Sequence, residues 1–195
     1  MPRRLSADDS ARPVMVPRYT RPLVPVTADR VRRLRERLVQ ALRDARELRR
    51  TAVSRPPQPD GFAAQVARTA CELCEGWCCR NGGDEAYLDG HAMARVRREM
   101  PDLNAGAVVR LYASRVPALA YKDSCIFHGA KGCTLDRSLR ADICHIYYCK
   151  GLTAYLRSRR RDSPSVIFAG KGDDMRSSAV LVPSLPRSAG DGGAD

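Results

Sequence analysis

The cysteines constrain this chain more than any other feature, because all eight lie in one stretch between positions 71 and 149. They are Cys71, Cys74, Cys78, Cys79, Cys125, Cys133, Cys144 and Cys149. An even number of cysteines suits either disulfides or metal ligation, and the redox compartment decides between them. No apolar run typical of a secretory signal peptide stands near Met1, so a cytoplasmic protein is expected. In a reducing compartment the thiols are expected to act as metal ligands.

The spacing of the cysteines suits a metal and leaves its identity open. The first group reads C-x2-C-x3-C-C, and a two-residue spacing lets two sulfurs reach one zinc ion at about 2.3 Å or join an iron–sulfur cluster. Side chains of the neighbours Cys78 and Cys79 diverge in a regular backbone, which predicts different centres or a single ligand. The four residues between Cys144 and Cys149 require a helix there to end or unwind. Eight sulfurs divide into two four-ligand sites.

Two of the three histidines lie next to or near cysteines. His145 follows Cys144, and His128 stands three residues after Cys125. Each is able to replace a sulfur as a ligand or to donate a hydrogen bond to a thiolate. A surface or hydrogen-bonding role is favoured for both, because eight cysteines already suffice for two centres.

The remaining sequence predicts a mainly α protein with a few short strands, a small α+β fold. An irregular cysteine-rich domain stapled by metal (62–187, with a C-terminal hairpin) is expected after an amphipathic helix (27–53) and a linker (54–61). A Pro- and Arg-containing leader (1–26) and a tail (188–195) are expected to be disordered. Within the domain, 138–159 is predicted to be helical with a kink near Gly151, and 165–169 and 179–182 are predicted strands.

The formal charge of +12 is concentrated at the N-terminal end of the chain. The amphipathic helix carries much of it, with an apolar stripe that includes Val31, Leu34 and Leu38. That helix is expected to pack on the cysteine-rich unit, and pairing with another copy or lying on a polyanion are the alternatives. The apolar runs are too short to cross a bilayer, so no membrane partner is expected. Metal ions are the expected partners; a protein partner is an alternative and nucleic acid a weaker one.

The order of the cysteine groups resembles that of a known bacterial family. The pattern C-x2-C-x3-C-C, then Cys125, Gly132-Cys133 and finally the stretch 140–149 is similar to the cysteine-cluster proteins of the YkgJ type, described as zinc- or iron-chelating domains. The resemblance covers about residues 71–150 and places all eight cysteines. Sequences related to that family include the N-terminal metal-binding part of flagellin lysine methylases, which implies an iron–sulfur site.

The chain also departs from this family pattern. Arg140-Ala141 stands where Arg-Pro is common, and His145 stands where an arginine usually follows the cysteine. Leu135-Asp136 replaces the usual Ile-Tyr, so the resemblance implies metal ligation and no particular reaction. The preferred function is therefore that of an iron–sulfur protein, with a redox or accessory role in a modification reaction. A zinc-structured interaction module and metal storage or delivery are the alternatives. Enzymatic activity is left open.

Overall fold

A computed structural model describes residues 11–48 and 58–183. The α-helices are α1 (Ala28–Glu47), α2 (Gly61–Cys74), α3 (Gly90–Glu99), α4 (Ala105–Ser114), α5 (Ile143–Ile146) and α6 (Lys150–Leu156). The strands are β1 (Arg12–Val16), β2 (Leu23–Pro25), β3 (Leu119–Tyr121), β4 (His128–Gly129), β5 (Gly132–Cys133), β6 (Ser165–Ala169) and β7 (Arg176–Ser177). The prediction of a mainly α chain with a few short strands is confirmed. Within the described residues, every helix falls short of the length or apolar character that a bilayer span requires.

The first of two apolar cores forms where α1 packs against α3 and α4. Thr27 caps α1 by accepting a hydrogen bond from the backbone N–H of Arg30, and the stripe through Leu34 and Leu38 is fully buried. Ile126 and Phe127, which precede β4, complete this core, and Val26, which follows β2, packs against it. Helix α1 ends at Glu47, and the rest of the predicted helix, beyond residue 48, lies outside the described residues.

The second core lies between α2, α6 and a three-stranded sheet. Strand β1 pairs with β6 in parallel and β7 pairs with β6 antiparallel, so the order is β1-β6-β7. Val14, Val66, Leu152 and Ile167 meet inside this core. Residues 11–26, assigned by sequence to a disordered leader, thus include two paired strands.

Two predicted elements differ in detail from the structure. The hairpin after β6 forms, but its second strand is Arg176–Ser177 rather than 179–182, where only Leu181 makes a bridge to Ser165. The predicted helix over 138–159 is broken into a 3-10 turn (Arg137–Leu139), α5 and α6, with extended backbone at Tyr147.

Gly151 lies where α6 approaches β1 most closely. A Cβ atom at this position would be 1.7 Å from the carbonyl oxygen of Met15. We expect Gly151→Ala to lower the free energy of unfolding by about 2–3 kcal/mol, because either the strand or the helix must move away. Urea unfolding followed by circular dichroism measures the loss.

Gly106→Ala is the matched control for this substitution. The nearest atoms to a Cβ at Gly106, on α4, lie at an ordinary 3.4 Å, and alanine favours a helix over glycine by up to about 1 kcal/mol. The control is expected to be as stable as the parent chain or slightly more so. Equal stability of both alanine variants would contradict the close approach of α6 and β1.

Candidate metal centre

The first four cysteines lie at the end of α2 and in the 3-10 turn that follows it. Cys71 and Cys74 occupy the last turn of α2, which ends because Glu75 and Gly76 adopt left-handed backbone with φ of 52° and 83°. The chain then reverses into the 3-10 helix Trp77–Asn81, which carries Cys78 and Cys79. The sharp turn brings Cys71, Cys78 and Cys79 to one cavity, while Cys74 is buried in the second core.

His128 supports the turn at Glu75 and Gly76. It is fully buried, and its Nε2 donates to the carbonyl oxygen of Glu75 at 2.7 Å while its Nδ1 accepts from the hydroxyl of Ser124 at 2.7 Å. Burial lowers the pKa of His128, which keeps the ring neutral and agrees with this pattern of one donor and one acceptor. Because Gly76 packs directly on the ring, His128 supports the backbone between the two cysteine pairs and is not oriented as a ligand.

Cys125 stands three residues before β4, and Cys133 is the last residue of β5. The backbone N–H of Cys125 donates to the carbonyl oxygen of Cys79 at 2.9 Å, so these two segments are directly joined. Cys133 pairs with His128 across the hairpin. This hairpin therefore brings the second cysteine group to the first.

The third group reaches the same region because the helix is interrupted. Cys144 lies in α5, and Cys149 is the N-cap residue of α6, with extended backbone at Tyr147 between them. The unwinding that the four-residue spacing required is thus present. His145 is buried and lines the cavity described next, and His91 is exposed on α3.

A single cavity of about 820 Å³ brings these segments together. Six of the cysteines line it: Cys71, Cys78, Cys79, Cys125, Cys133 and Cys144. Cys74 and Cys149 pack beside it in the second core. All eight are free thiols in the structure. Within residues 11–48 and 58–183 no three Cys, His, Asp or Glu side chains already surround a position for a metal ion, so the thiols would have to turn inward to share one.

Burial and crowding of the thiols shape their acidity. Cys71 and Cys144 are exposed residues, yet both line the cavity, where the surrounding protein still desolvates their thiols. This desolvation, together with the charges of Cys78 and Cys149, raises the pKa of Cys71 to about 11. Burial likewise raises the pKa of Cys125 to about 12 and that of Cys144 to about 11, and in both the charge of Cys133 contributes. Because the thiolates repel one another, a bound cation that neutralises several of them at once would stabilise this group of cysteines.

The adjacent thiols Cys78 and Cys79 are hydrogen-bonded to each other. A hydrogen bond from Cys79 lowers the pKa of Cys78 to about 7, whereas the same bond and burial raise the pKa of Cys79. The exposed Cys78 is therefore the thiolate of the pair near neutral pH, and the charge of Arg140 supports it.

Backbone N–H groups and arginines further stabilise the negative charge of the cysteines. Hydrogen bonds from the backbone at Trp77 and Phe127 favour the thiolates of Cys74 and Cys125. Arg140 lies beside Cys133, and its positive charge favours thiolates at Cys78 and Cys144 as well. These are the partners that surround thiolate ligands in metal sites.

Sequence reasoning named Arg140 only as part of the last cysteine stretch, and it missed Arg95, which positions that stretch. Arg95 is 5% exposed and donates to the carboxylate of Asp142 at 2.9 Å and to the carbonyl oxygens of Ser138 and Arg140. One signal was available for Arg95, because it lies between Ala92 and Val96 on the buried face of α3.

Comparison of this chain with family models, curated proteins and solved structures found no match. The residues around the cavity therefore provide the evidence for a function.

Proposed function

We propose that this chain is a metal-binding protein that holds iron–sulfur clusters or zinc through its eight cysteines. One observation carries the proposal: segments that are up to 78 positions apart, from Cys71 to Cys149, bring six thiols to one cavity. The other two, Cys74 and Cys149, pack in the second core, and the charge of Cys149 acts on Cys71 and Cys74. Thiolate is the preferred ligand of zinc and of iron–sulfur clusters, and a free-thiol cluster of this density has no comparable structural use. The donor set fits either group.

Iron–sulfur clusters are the first choice for the bound group. A cavity of about 820 Å³ has room for inorganic iron and sulfide between the thiolates. The resemblance of residues 71–150 to YkgJ-type proteins supports the same choice. When bound, a cluster would supply one-electron redox chemistry, and Trp77, which lines the cavity with Arg80 stacked 4.6 Å from its ring, would limit the access of water to it.

The accessibility of three of the thiols favours a second candidate function, metal storage or delivery. Cys71, Cys78 and Cys144 are exposed, which gives an incoming chelator or acceptor thiol a route to the bound ion. A zinc-structured interaction module is the third candidate. Its basic helix α1 uses several of its arginines internally: Arg30 and Arg33 bind Asp84, and Arg37 binds the carbonyl oxygen of Leu88. This internal use leaves less of the helix for a polyanion.

Purification of the full chain without oxygen, followed by metal and sulfide analysis, tests the proposal. A brown protein with broad absorption at about 400 nm and bound iron and sulfide supports clusters, and a colourless one with about two zinc ions per chain supports zinc. Removal of the metal by a chelator is expected to unfold a structural centre and to leave the fold of a storage protein intact. A reduced chain that binds neither iron nor zinc contradicts the proposal.

A further inference from the structure

The cavity lies between the two apolar cores, and the cysteines are divided between those cores. Cys79, Cys125 and Cys133 pack against the first core, which α1, α3 and α4 build. Cys74 and Cys149 pack in the second core, with α2 and α6. We call the side of the cavity next to the first core one wall and the side next to the second core the other. Five of the eight thiols are therefore fixed on one of these two walls.

The three exposed cysteines extend these two groups. Cys71 lies one helical turn before Cys74 on α2, so the two side chains share a face of the helix. Cys144 follows Ala141, which is buried in the first core, and among its neighbours the thiol of Cys133 acts on it most strongly, followed by Cys78 and Arg140. The phenol of Tyr87 lies on the wall next to the first core too and senses the charges of the nearby thiols, Cys144 first among them.

Cys78 is the residue at the boundary between the walls. It is hydrogen-bonded to Cys79, and its charge acts on Cys71 and Cys74 on one wall and on Cys133 and Cys144 on the other. Because neighbouring side chains leave the backbone in different directions, one ion is more easily reached by either Cys78 or Cys79 than by both. The backbone N–H of Cys125 donates to the carbonyl oxygen of Cys79 at 2.9 Å, which places Cys79 with the hairpin. Cys78 is therefore assigned to the α2 side of the cavity.

We propose that the cysteines form two separate four-thiolate centres, one on each wall of the cavity. The α2 centre consists of Cys71, Cys74, Cys78 and Cys149, and the hairpin centre consists of Cys79, Cys125, Cys133 and Cys144. Four thiolates complete the coordination of a zinc ion or of an iron–sulfur cluster, so each set is sufficient by itself. This assignment rests on the proposed metal-binding function.

The arginines around the cavity are divided in the same way. Four thiolates around a divalent ion or a doubly charged cluster leave a net charge of about −2, which needs positive charge nearby. Arg140 serves the hairpin centre through Cys133 and Cys144, and it also reaches the boundary residue Cys78. Arg137 acts on Cys71 of the α2 centre.

Two matched variants of the full chain, Cys71→Ser and Cys144→Ser, test the assignment. Both residues are exposed, so neither change opens a hole in a core. The reduced chain is loaded with zinc alone, the zinc is counted, and each cysteine is scored for protection from N-ethylmaleimide by mass spectrometry. The parent is expected to hold about two zinc ions and each variant about one, a twofold loss.

The labelling pattern identifies which centre each variant loses. Cys71→Ser is expected to expose Cys74, Cys78 and Cys149 to the reagent and to keep the hairpin centre protected. Cys144→Ser is expected to give the mirror image. Loss of all zinc in either variant, the same labelled set in both, or a parent with a single zinc ion overturns the division into two centres. A parent that protects none of its cysteines and binds no iron instead overturns the proposed function.

Discussion

Replacing Arg95 with methionine is expected to lower the free energy of unfolding by about 3–5 kcal/mol. The guanidinium is 5% exposed, and it satisfies the Asp142 carboxylate and the carbonyl oxygens of Ser138 and Arg140 at once. Methionine fills a similar volume without donating a hydrogen bond, so these acceptors would lose their partner in a poorly solvated position. Because small domains are stable by only about 5–15 kcal/mol, part of the variant population is expected to be unfolded.

The same substitution is expected to weaken the metal site. Arg95 fixes the stretch 138–142, which leads into α5 and sets the position of Cys144. Urea unfolding measures the stability, and zinc content measures the site. Arg98→Met on the exposed side of α3 is the control and is expected to stay within about 0.5 kcal/mol of the parent. A loss below about 1 kcal/mol for Arg95→Met would show that this network does not support the last cysteine group.

Local signals in the sequence predicted much of the fold, whereas the pairing of strands that are distant in sequence was not predicted. The amphipathic helix was readable because its apolar stripe through Leu34 and Leu38 depends only on neighbours within a few helical turns. Strand β1 could not be predicted from local sequence, because Pro13 argues against a strand and the partner strand β6 lies about 150 positions away. The proline is tolerated because β1 is the edge strand of its sheet.

The second strand of the C-terminal hairpin was misplaced for a related reason. The run 179–182 is the more apolar and β-branched, but the tight 3-10 turn Gly172–Asp174 returns the chain so early that Arg176 and Ser177 meet β6 first. Register was therefore set by turn geometry rather than by hydrophobicity. At the site, the cysteine pattern named the candidate ligands, while Arg95 and Arg140, which surround them, depend on contacts between distant segments.

Cys78 is expected to be the most reactive thiol of the reduced, metal-free chain. Its pKa is lowered to about 7, so about half of it is thiolate at pH 7, whereas the equally exposed Cys71 and Cys144 have pKa values of about 11. The thiolate fraction therefore favours Cys78 by several thousand-fold, and the lower intrinsic nucleophilicity of a more acidic thiol reduces this to about 10²-fold. Iodoacetamide labelling read by fragment mass spectrometry measures the three rates.

The pH profile and two substitutions at Cys79 test the cause of that reactivity. The rate at Cys78 is expected to level off above about pH 8, while the rates at Cys71 and Cys144 continue to rise toward pH 11. Cys79→Ala removes the hydrogen-bond donor and is expected to slow Cys78 at pH 7 by about tenfold. Cys79→Ser keeps a donor and is expected to retain most of the rate. If the alanine and serine variants react equally fast, the hydrogen bond from Cys79 is not what makes Cys78 acidic, and the charge of Arg140 becomes the next cause to test by Arg140→Gln.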